Sequence, residues 1–189
     1  GPEIGVASTK AFTTQVAVLI MMSATIGRQL GTIDEQHYLQ LVEGLETIDE
    51  KIEEILQQAS KIEDISKIFT YARNFIYLGR GYNYPVALEG ALKLKEISYI
   101  HSEAYAAGEL KHGTISLIEE GTLVSAVLTQ PELYKKMISN MVEVKTRGAF
   151  VMAVTNTGNT EVEKAADYVI YIPKTNKYFT NSLAIIPLQ

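Results

Sequence analysis

The sequence N-F-I-Y-L-G-R-G at residues 74–81 joins a short apolar run to a Gly-x-Gly turn. Proline is favoured in the first turn of a helix, so Pro85 predicts a helix that runs to about Ile100. Three more apolar runs occupy residues 122–129, 149–155 and 167–172, and helical segments separate them. Apolar strands that alternate with helices are typical of a parallel sheet with both faces covered. The sequence therefore predicts an α/β fold, a doubly wound parallel sheet sandwiched between helices.

The first third of the chain has a helical pattern. Residues 10–30 are apolar nearly all round, which is typical of a helix buried between layers. Residues 32–60 carry apolar side chains three and four positions apart, with acidic residues on the other face, and this predicts an amphipathic connector. We therefore expect the end of one α/β domain in residues 1–31, a helical connector in residues 32–60, and a second domain, truncated at its end, in residues 61–189.

Composition excludes several classes of function. The 189 residues include no cysteine, so disulfides, thiol nucleophiles and cysteine-ligated metals are excluded. The net charge is −5 and no basic face is visible, which argues against nucleic-acid binding. The longest strongly apolar run, residues 16–22, is far shorter than the roughly 20 residues of a membrane span. We expect a soluble, cytoplasmic protein that contacts no membrane.

Three charged residues of the helix that follows the Gly-x-Gly turn lie on one face. Glu89, Lys93 and Glu96 are spaced i, i+4 and i+7. An acid–base pair of this kind is what moving a proton between adjacent sugar carbons requires. The spacing is equally compatible with a surface ion pair that contributes a few tenths of a kcal/mol. The Gly-x-Gly turn itself either presents amides to an anion or is simply a tight turn.

The chain has three histidines, of which His112 is the candidate for chemistry. It lies in G-E-L-K-H-G, where the flanking glycines would let a polar loop carry it to another surface, although a plain loop histidine is the alternative. His37 is expected to face solvent, and His101 is expected to cap a helix end. No pair of histidines has metal-ligand spacing, so no metal site is expected.

Two long motifs make the pattern specific. G-P-E-I-G-V-A-S-T-K-A-F-T-T-Q at residues 1–15 and E-G-A-L-K-L-K-E-I-S-Y-I-H-S-E-A-Y-A-A-G-E-L-K-H-G at residues 89–113, with the ending P-L-Q, resemble the isomerase half of the glutamine–fructose-6-phosphate aminotransferase (glucosamine-6-phosphate synthase) family. The resemblance implies two sugar-isomerase (SIS) domains of flavodoxin-like fold, with residues 1–31 the remnant of the first. It also implies the conversion of fructose 6-phosphate and glutamine to glucosamine 6-phosphate and glutamate, without a cofactor.

The resemblance also implies roles for individual residues. Glu96 matches the base that moves a proton between C1 and C2 of the sugar, and Lys93 matches the lysine that assists proton transfer at the sugar oxygen. His112 matches a ring-opening histidine that reaches the active site of the neighbouring subunit, so a homodimer is expected. Val6 and Ser8 match the loop that lines the sugar pocket, with Glu3 close by.

The same resemblance predicts that this chain carries only part of an active site. Without a cysteine it lacks the glutaminase nucleophile, so ammonia would come from a domain absent here. The phosphate-binding loop and the Schiff-base lysine of the family would lie before Gly1 and after Gln189. A non-catalytic SIS module that binds a phosphosugar for regulation and a structural dimerisation domain remain alternatives. The Lys93–Glu96 pair favours the enzyme, because regulatory modules lack it.

Overall fold

The protein is seen in a computed structural model that describes residues 8–189, and its centre is a five-stranded parallel sheet. The strand order is β2-β1-β3-β4-β5, and every neighbouring pair is parallel. The predicted parallel α/β sheet is therefore confirmed. The strands are β1 Asn74–Gly79, β2 His101–Ala106, β3 Leu123–Leu128, β4 Phe150–Asn156 and β5 Tyr168–Ile172.

Seven α-helices and several short 3₁₀ turns surround the sheet within residues 8–189. The helices are α1 Lys10–Gln29, α2 Glu35–Glu46, α3 Ile48–Leu56, α4 Ala59–Ile68, α5 Asn83–Ser98, α6 Tyr134–Lys145 and α7 Thr180–Ala184. The 3₁₀ turns are Ala107–His112, Thr114–Leu117, Pro131–Leu133, Thr160–Lys164 and Ile186–Leu188.

The core lies on both faces of the sheet. On one face, Met137 and Met141 of α6 pack against β1, β3 and β4 and are fully buried. On the other face, Ile55 of α3 and Val86 of α5 pack against β3, β4 and β5 with α7. Each such side chain stabilises the fold by roughly 1.5–3 kcal/mol on burial. All six residues of β3 are buried, as expected for a central strand covered on both sides.

The predicted connector is divided into separate helices. The side chain of Asp34 accepts a hydrogen bond of 2.7 Å from the amide of His37 and caps α2, which ends before Thr47. A Cβ on Gly44 would lie 2.9 Å from the ring of Phe179, so glycine allows that ring to pack directly on α2. After the break at Thr47, α3 places Ile55 against the sheet.

One strand was not predicted, and one helix ends slightly earlier than expected. The helix expected to reach Ile100 stops at Ser98, because Tyr99 adopts a left-handed conformation with φ 61°. β2 then begins at His101, whose side chain is exposed and lies 3.6 Å from the carboxylate of Glu103. His101 therefore does not cap a helix but starts an edge strand.

The first helix is less buried than its apolar sequence predicts. Only Ala24 of α1 is buried, and Leu19, Met22 and Ile26 are at least half exposed. Its neighbours in the described part of the chain are mainly α2 and α7, which cover one side of it. By length and composition, with a mean hydropathy of 1.2, α1 could also cross a membrane. A single helix of this kind is weak evidence, because core helices pass the same test.

Candidate active site

Close backbone packing fixes the position of α5 on the sheet. A Cβ on Gly79 would lie 2.4 Å from the carbonyl oxygen of Asn83, so only glycine allows the chain to turn this tightly from β1 into α5. Further along, a Cβ on Gly90 would lie 3.0 Å from the ring of Tyr77, and the neighbouring Ala87 and Ala91 are buried. These small residues hold α5 close to β1, which places its next turn, with Lys93, in a buried position.

Lys93 lies between two carboxylates. Its Nζ is 2.6 Å from Glu96 Oε2 and 3.5 Å from Glu89 Oε1. The side chain of Lys93 is only 5% exposed, whereas Glu89 is 13% and Glu96 is 31% exposed. A buried ammonium with two carboxylate partners is different from the exposed surface pair that the spacing alone would allow.

Burial alone would lower the pKa of Lys93. The hydrogen bond to Glu96, together with the negative charges of Glu89 and Glu96, outweighs it and raises the pKa above its ordinary value. Lys93 is therefore a permanent cation at physiological pH. It fixes one oxygen of Glu96, while the other oxygen has no hydrogen-bond partner in residues 8–189. The arrangement presents an oriented, partly exposed carboxylate that can accept a proton.

The acid–base cluster lies near the amino ends of the strands. α5 runs antiparallel to β1, so its second half returns toward the start of the sheet. Lys93 lines a cavity of about 490 Å³ together with Phe75, Leu123 and Phe150, which lie at or near strand starts. Lys93 therefore lies at the edge of the sheet opposite the Gly-x-Gly turn, which follows the carboxyl end of β1. The cavity is mostly apolar, and among residues 8–189 Lys93 is the only charged side chain that lines it.

Ser8 lies on the same side of the molecule as Lys93. The carbonyl oxygen of Thr9, the next residue, accepts a hydrogen bond of 3.1 Å from Nε2 of Gln189, and Gln189 lines the cavity that Lys93 lines. The Oγ of Ser8 is buried and has no partner among the described residues. Val6 and Glu3, the other predicted pocket residues, lie outside the described residues.

His112 does not meet Glu96 within one chain. It ends the 3₁₀ turn Ala107–His112, which follows β2 and so lies at the carboxyl edge of the sheet. A strand of six residues spans about 20 Å, so the two side chains belong to opposite edges. The ring of His112 is 74% exposed, and its Nδ1 lies 2.7 Å from Oε2 of Glu109. An exposed histidine at an edge is free to contact another molecule.

The Gly-x-Gly turn binds groups of its own protein. The amide of Tyr82 donates a hydrogen bond of 2.7 Å to Oε1 of Gln130, and the amide of Asn83 donates to the carbonyl of Arg80 at 3.0 Å. Gly81 has φ +54°, and a Cβ there would lie 2.6 Å from Oε1 of Gln130. The structure therefore favours the tight turn over the anion site.

Of the two carboxylates that share a helix face with Lys93, Glu96 makes the shorter contact. Sequence reasoning missed a cationic cavity at the carboxyl edge, because some of the residues that line it are more than 60 positions apart in the chain. Among residues 8–189 no group of three or more histidine, aspartate or glutamate side chains could hold a metal.

Comparisons with known proteins agree with the observed fold. Residues 68–188 match the sequence profile of the SIS domain. All 189 residues align at 53% identity with a protein named glutamine–fructose-6-phosphate aminotransferase [isomerizing] from Bacteroides thetaiotaomicron, and at 47% with one from Caldanaerobacter subterraneus. The chain covers 31% of the length of each of these relatives.

Two solved structures give the same result. The C-terminal domain of glucosamine-fructose-6-phosphate aminotransferase from Francisella tularensis superposes with a TM-score of 0.91 at 38% identity, over all of this chain and 53% of that one. The sugar isomerase domain of an RpiR transcription factor from Sphaerobacter thermophilus has a TM-score of 0.64 at 18% identity, over 78% of this chain and 85% of that one. The second likeness concerns the fold alone.

Proposed function

Because the chain belongs to the SIS domain family, we propose that it is the sugar-isomerase part of an enzyme that converts fructose 6-phosphate and glutamine to glucosamine 6-phosphate and glutamate. The observation that carries the proposal is the buried Lys93 with its hydrogen bond to Glu96. The identity of 53% to an aminotransferase, over the full chain, supports it. A module that only binds a phosphosugar needs no oriented carboxylate of this kind.

The proposed chemistry is a proton transfer between neighbouring carbons of the open-chain sugar. Glu96, as the carboxylate, takes the proton from C1 and returns it to C2, so the base is regenerated at the end. Lys93 orients that carboxylate and assists proton transfer at the sugar oxygen. General acid–base catalysis by such a group contributes roughly 10²–10⁴-fold to the rate.

The remaining roles concern substrate binding and assembly. Ser8, with Val6 and Glu3, would line the sugar pocket. His112 would open the sugar ring in the active site of a neighbouring subunit of a cytoplasmic homodimer. This is supported by its exposure and by its position at the sheet edge opposite Glu96. Ammonia would come from a glutaminase domain that is not part of this chain.

The test uses a chimera in which these 189 residues replace the aligned residues of the Bacteroides thetaiotaomicron aminotransferase. Glu96→Gln is expected to lower formation of glucosamine 6-phosphate by about 10²–10⁴-fold. It should also abolish solvent-hydrogen exchange at C2 of the product, while glutamate release continues. Unchanged exchange at C2 would remove Glu96 as the base.

A matched variant separates this effect from a general loss of acidic charge. Glu161→Gln changes an exposed glutamate of the 3₁₀ turn Thr160–Lys164, far along the chain from α5, by the same chemistry. It should leave both product formation and C2 exchange within about twofold of the unsubstituted chimera, since surface substitutions of this kind are usually near neutral.

A further inference from the structure

A second cavity, of about 380 Å³, lies at the carboxyl edge of the sheet and is lined by cations. It is formed by the loop after β1, the turn after β2 and one side of α6. Its charged residues are Arg80, Lys111, Lys135, Lys136 and Glu143. Four of the 17 lysines and arginines of a chain with net charge −5 therefore converge on one cavity that contains a single carboxylate.

Within the described residues, 8–189, three of these four cations have no counter-charge. Lys111 Nζ lies 2.9 Å from Glu143 Oε1, so the one carboxylate of the cavity is paired with Lys111. Lys135 and Lys136 make no hydrogen bond or ion pair within residues 8–189, and both are exposed to the cavity. Arg80 has no acidic partner there either. The local excess of three positive charges favours an anionic occupant.

The guanidinium of Arg80 is held in place by its surroundings. Its Nε donates a hydrogen bond of 3.1 Å to Oδ1 of Asn140, which is itself buried. A Cβ on Gly108 would lie 3.3 Å from Nη2 of Arg80, so the guanidinium packs against a residue without a side chain. The two terminal nitrogens have no partner in the described part of the chain. Arg80 thus offers an oriented pair of donors, the geometry that suits phosphoryl oxygens.

The position of the cavity in the fold also points to a ligand. The cavity lies beside the segments that follow the carboxyl ends of β1 and β2. Open α/β sheets bind their ligands outside the carboxyl ends of the strands. A volume of about 380 Å³ falls within the range of small-molecule sites.

We propose that this cavity binds the phosphoryl group of a small ligand through Arg80, Lys135 and Lys136. The site lies at the sheet edge opposite Lys93 and Glu96, so it is separate from the proposed acid–base cluster. Lys111, at the rim of the cavity, directly precedes His112. A bound anion would therefore contact the segment that carries this histidine.

The experiment titrates the 189-residue chain with inorganic phosphate and with pyrophosphate at constant ionic strength, by calorimetry. The unsubstituted chain is expected to bind at least one of them in the millimolar range or tighter. The double variant K135A/K136A should weaken binding at least 10-fold. Arg80→Lys keeps the positive charge but removes the oriented pair of guanidinium donors, and it should weaken binding severalfold. Both lysines are exposed, so the double variant is expected to stay folded, and its circular dichroism checks this.

The matched control is K164A/K174A, which removes the same charge from exposed lysines outside the cavity. It should leave the affinity within twofold. No binding by the unsubstituted chain, or an equal loss in both double variants, overturns the proposal. Glu96→Gln is expected to bind phosphate normally, so failure here and failure of the proposed isomerase chemistry can be distinguished.

Discussion

Two lysines of this protein each contact two carboxylates on their own helix, and their surroundings differ. Lys67 of α4 lies 3.0 Å from Glu63 and 3.3 Å from Asp64, at spacings i,i+4 and i,i+3. Lys93 of α5 has carboxylate partners at the same two spacings, with distances of 3.5 Å and 2.6 Å. Lys67 is 64% exposed, whereas Lys93 is 5% exposed.

The spacing of charged residues along a helix therefore does not distinguish a solvated ion pair from a functional site. Around Lys67 water screens the charges, and such exposed pairs are worth about 0–1 kcal/mol. Around Lys93 the sheet and the small residues Gly90 and Ala91 exclude water, so loss of one partner leaves a charge without compensation. The burial of Lys93, and not its spacing, is what indicates function.

The largest expected effect on stability tests this difference directly. Lys93→Met leaves Glu96 and Glu89 facing each other without a cation, and we expect it to lower the free energy of unfolding by about 2–3 kcal/mol, because removal of one buried partner is strongly destabilising and the glutamates here are partly exposed. Lys67→Met, the matched change on α4, should cost about 0.5 kcal/mol or less. Urea unfolding of both variants measures the two values.

Equal losses in the two variants would contradict the comparison. If adding Glu96→Gln to the Lys93→Met chain restores part of the free energy of unfolding, the contrast between Lys93 and Lys67 is strengthened. The loss of stability would then be traced to the unpaired carboxylate of Glu96. Double-mutant cycles measure such coupling between neighbours, which is expected to be 0.5–3 kcal/mol for residues that share one network.

Much of the sheet was predictable from sequence, and the missed strand has a clear reason. β1, β3, β4 and β5 are apolar runs, which mark strands covered on both faces. β2 reads H-S-E-A-Y-A, contains no β-branched residue and lies at the sheet edge. Its extended conformation comes from pairing with β1 over six residues, and no pattern in the local sequence predicts that pairing.

The site was predictable in part. The common face of Glu89, Lys93 and Glu96 follows from helix periodicity alone. The burial of Lys93 depends on the close approach of α5 to β1. Small residues permit this approach, but their presence in the sequence does not predict it. The exposure of α1 has the same kind of cause, because an apolar helix is buried only to the extent that neighbouring elements cover it.

Raising the pH removes the charge of Lys93 without a mutation. Its pKa is raised in the folded state above the ordinary value of 10.5, so its favourable contribution is fully present below that value. The contribution is lost as pH rises through the higher, folded-state pKa. The stability difference between the native chain and Lys93→Met should therefore be level from neutral pH to about pH 9 and shrink above 10.5.

Lys67→Met provides the reference for this titration. Lys67→Met is expected to change the free energy of unfolding little at any pH. The difference in the free energy of unfolding between the two variants should therefore shrink in the alkaline range. Guanidinium unfolding at a series of pH values measures it. A Lys93 difference that persists unchanged well above its folded pKa would mean that the side chain stabilises by packing of its methylenes and not by its charge.

The smallest expected effect on stability belongs to a third pair with helical spacing. His112 and Glu109 are i,i+3 and 2.7 Å apart, and both are at least 70% exposed. By the comparison above, His112→Ala should change the free energy of unfolding by no more than about 0.5 kcal/mol. Its effect should instead appear in catalysis, because an exposed histidine at the sheet edge is positioned to act on another molecule and not to support its own fold.

Subunit mixing separates these two roles. In the homodimer that we propose for the chimeric enzyme, the His112→Ala and Glu96→Gln variants should each be inactive alone. Mixed dimers should regain part of the activity, since one of the two active sites then receives an intact Glu96 from one subunit and an intact His112 from the other. Absence of any recovery in dimers shown to have exchanged subunits would place both residues in the same subunit's site. The opposite-edge geometry of this chain argues against that outcome, because about 20 Å of sheet separates the two positions.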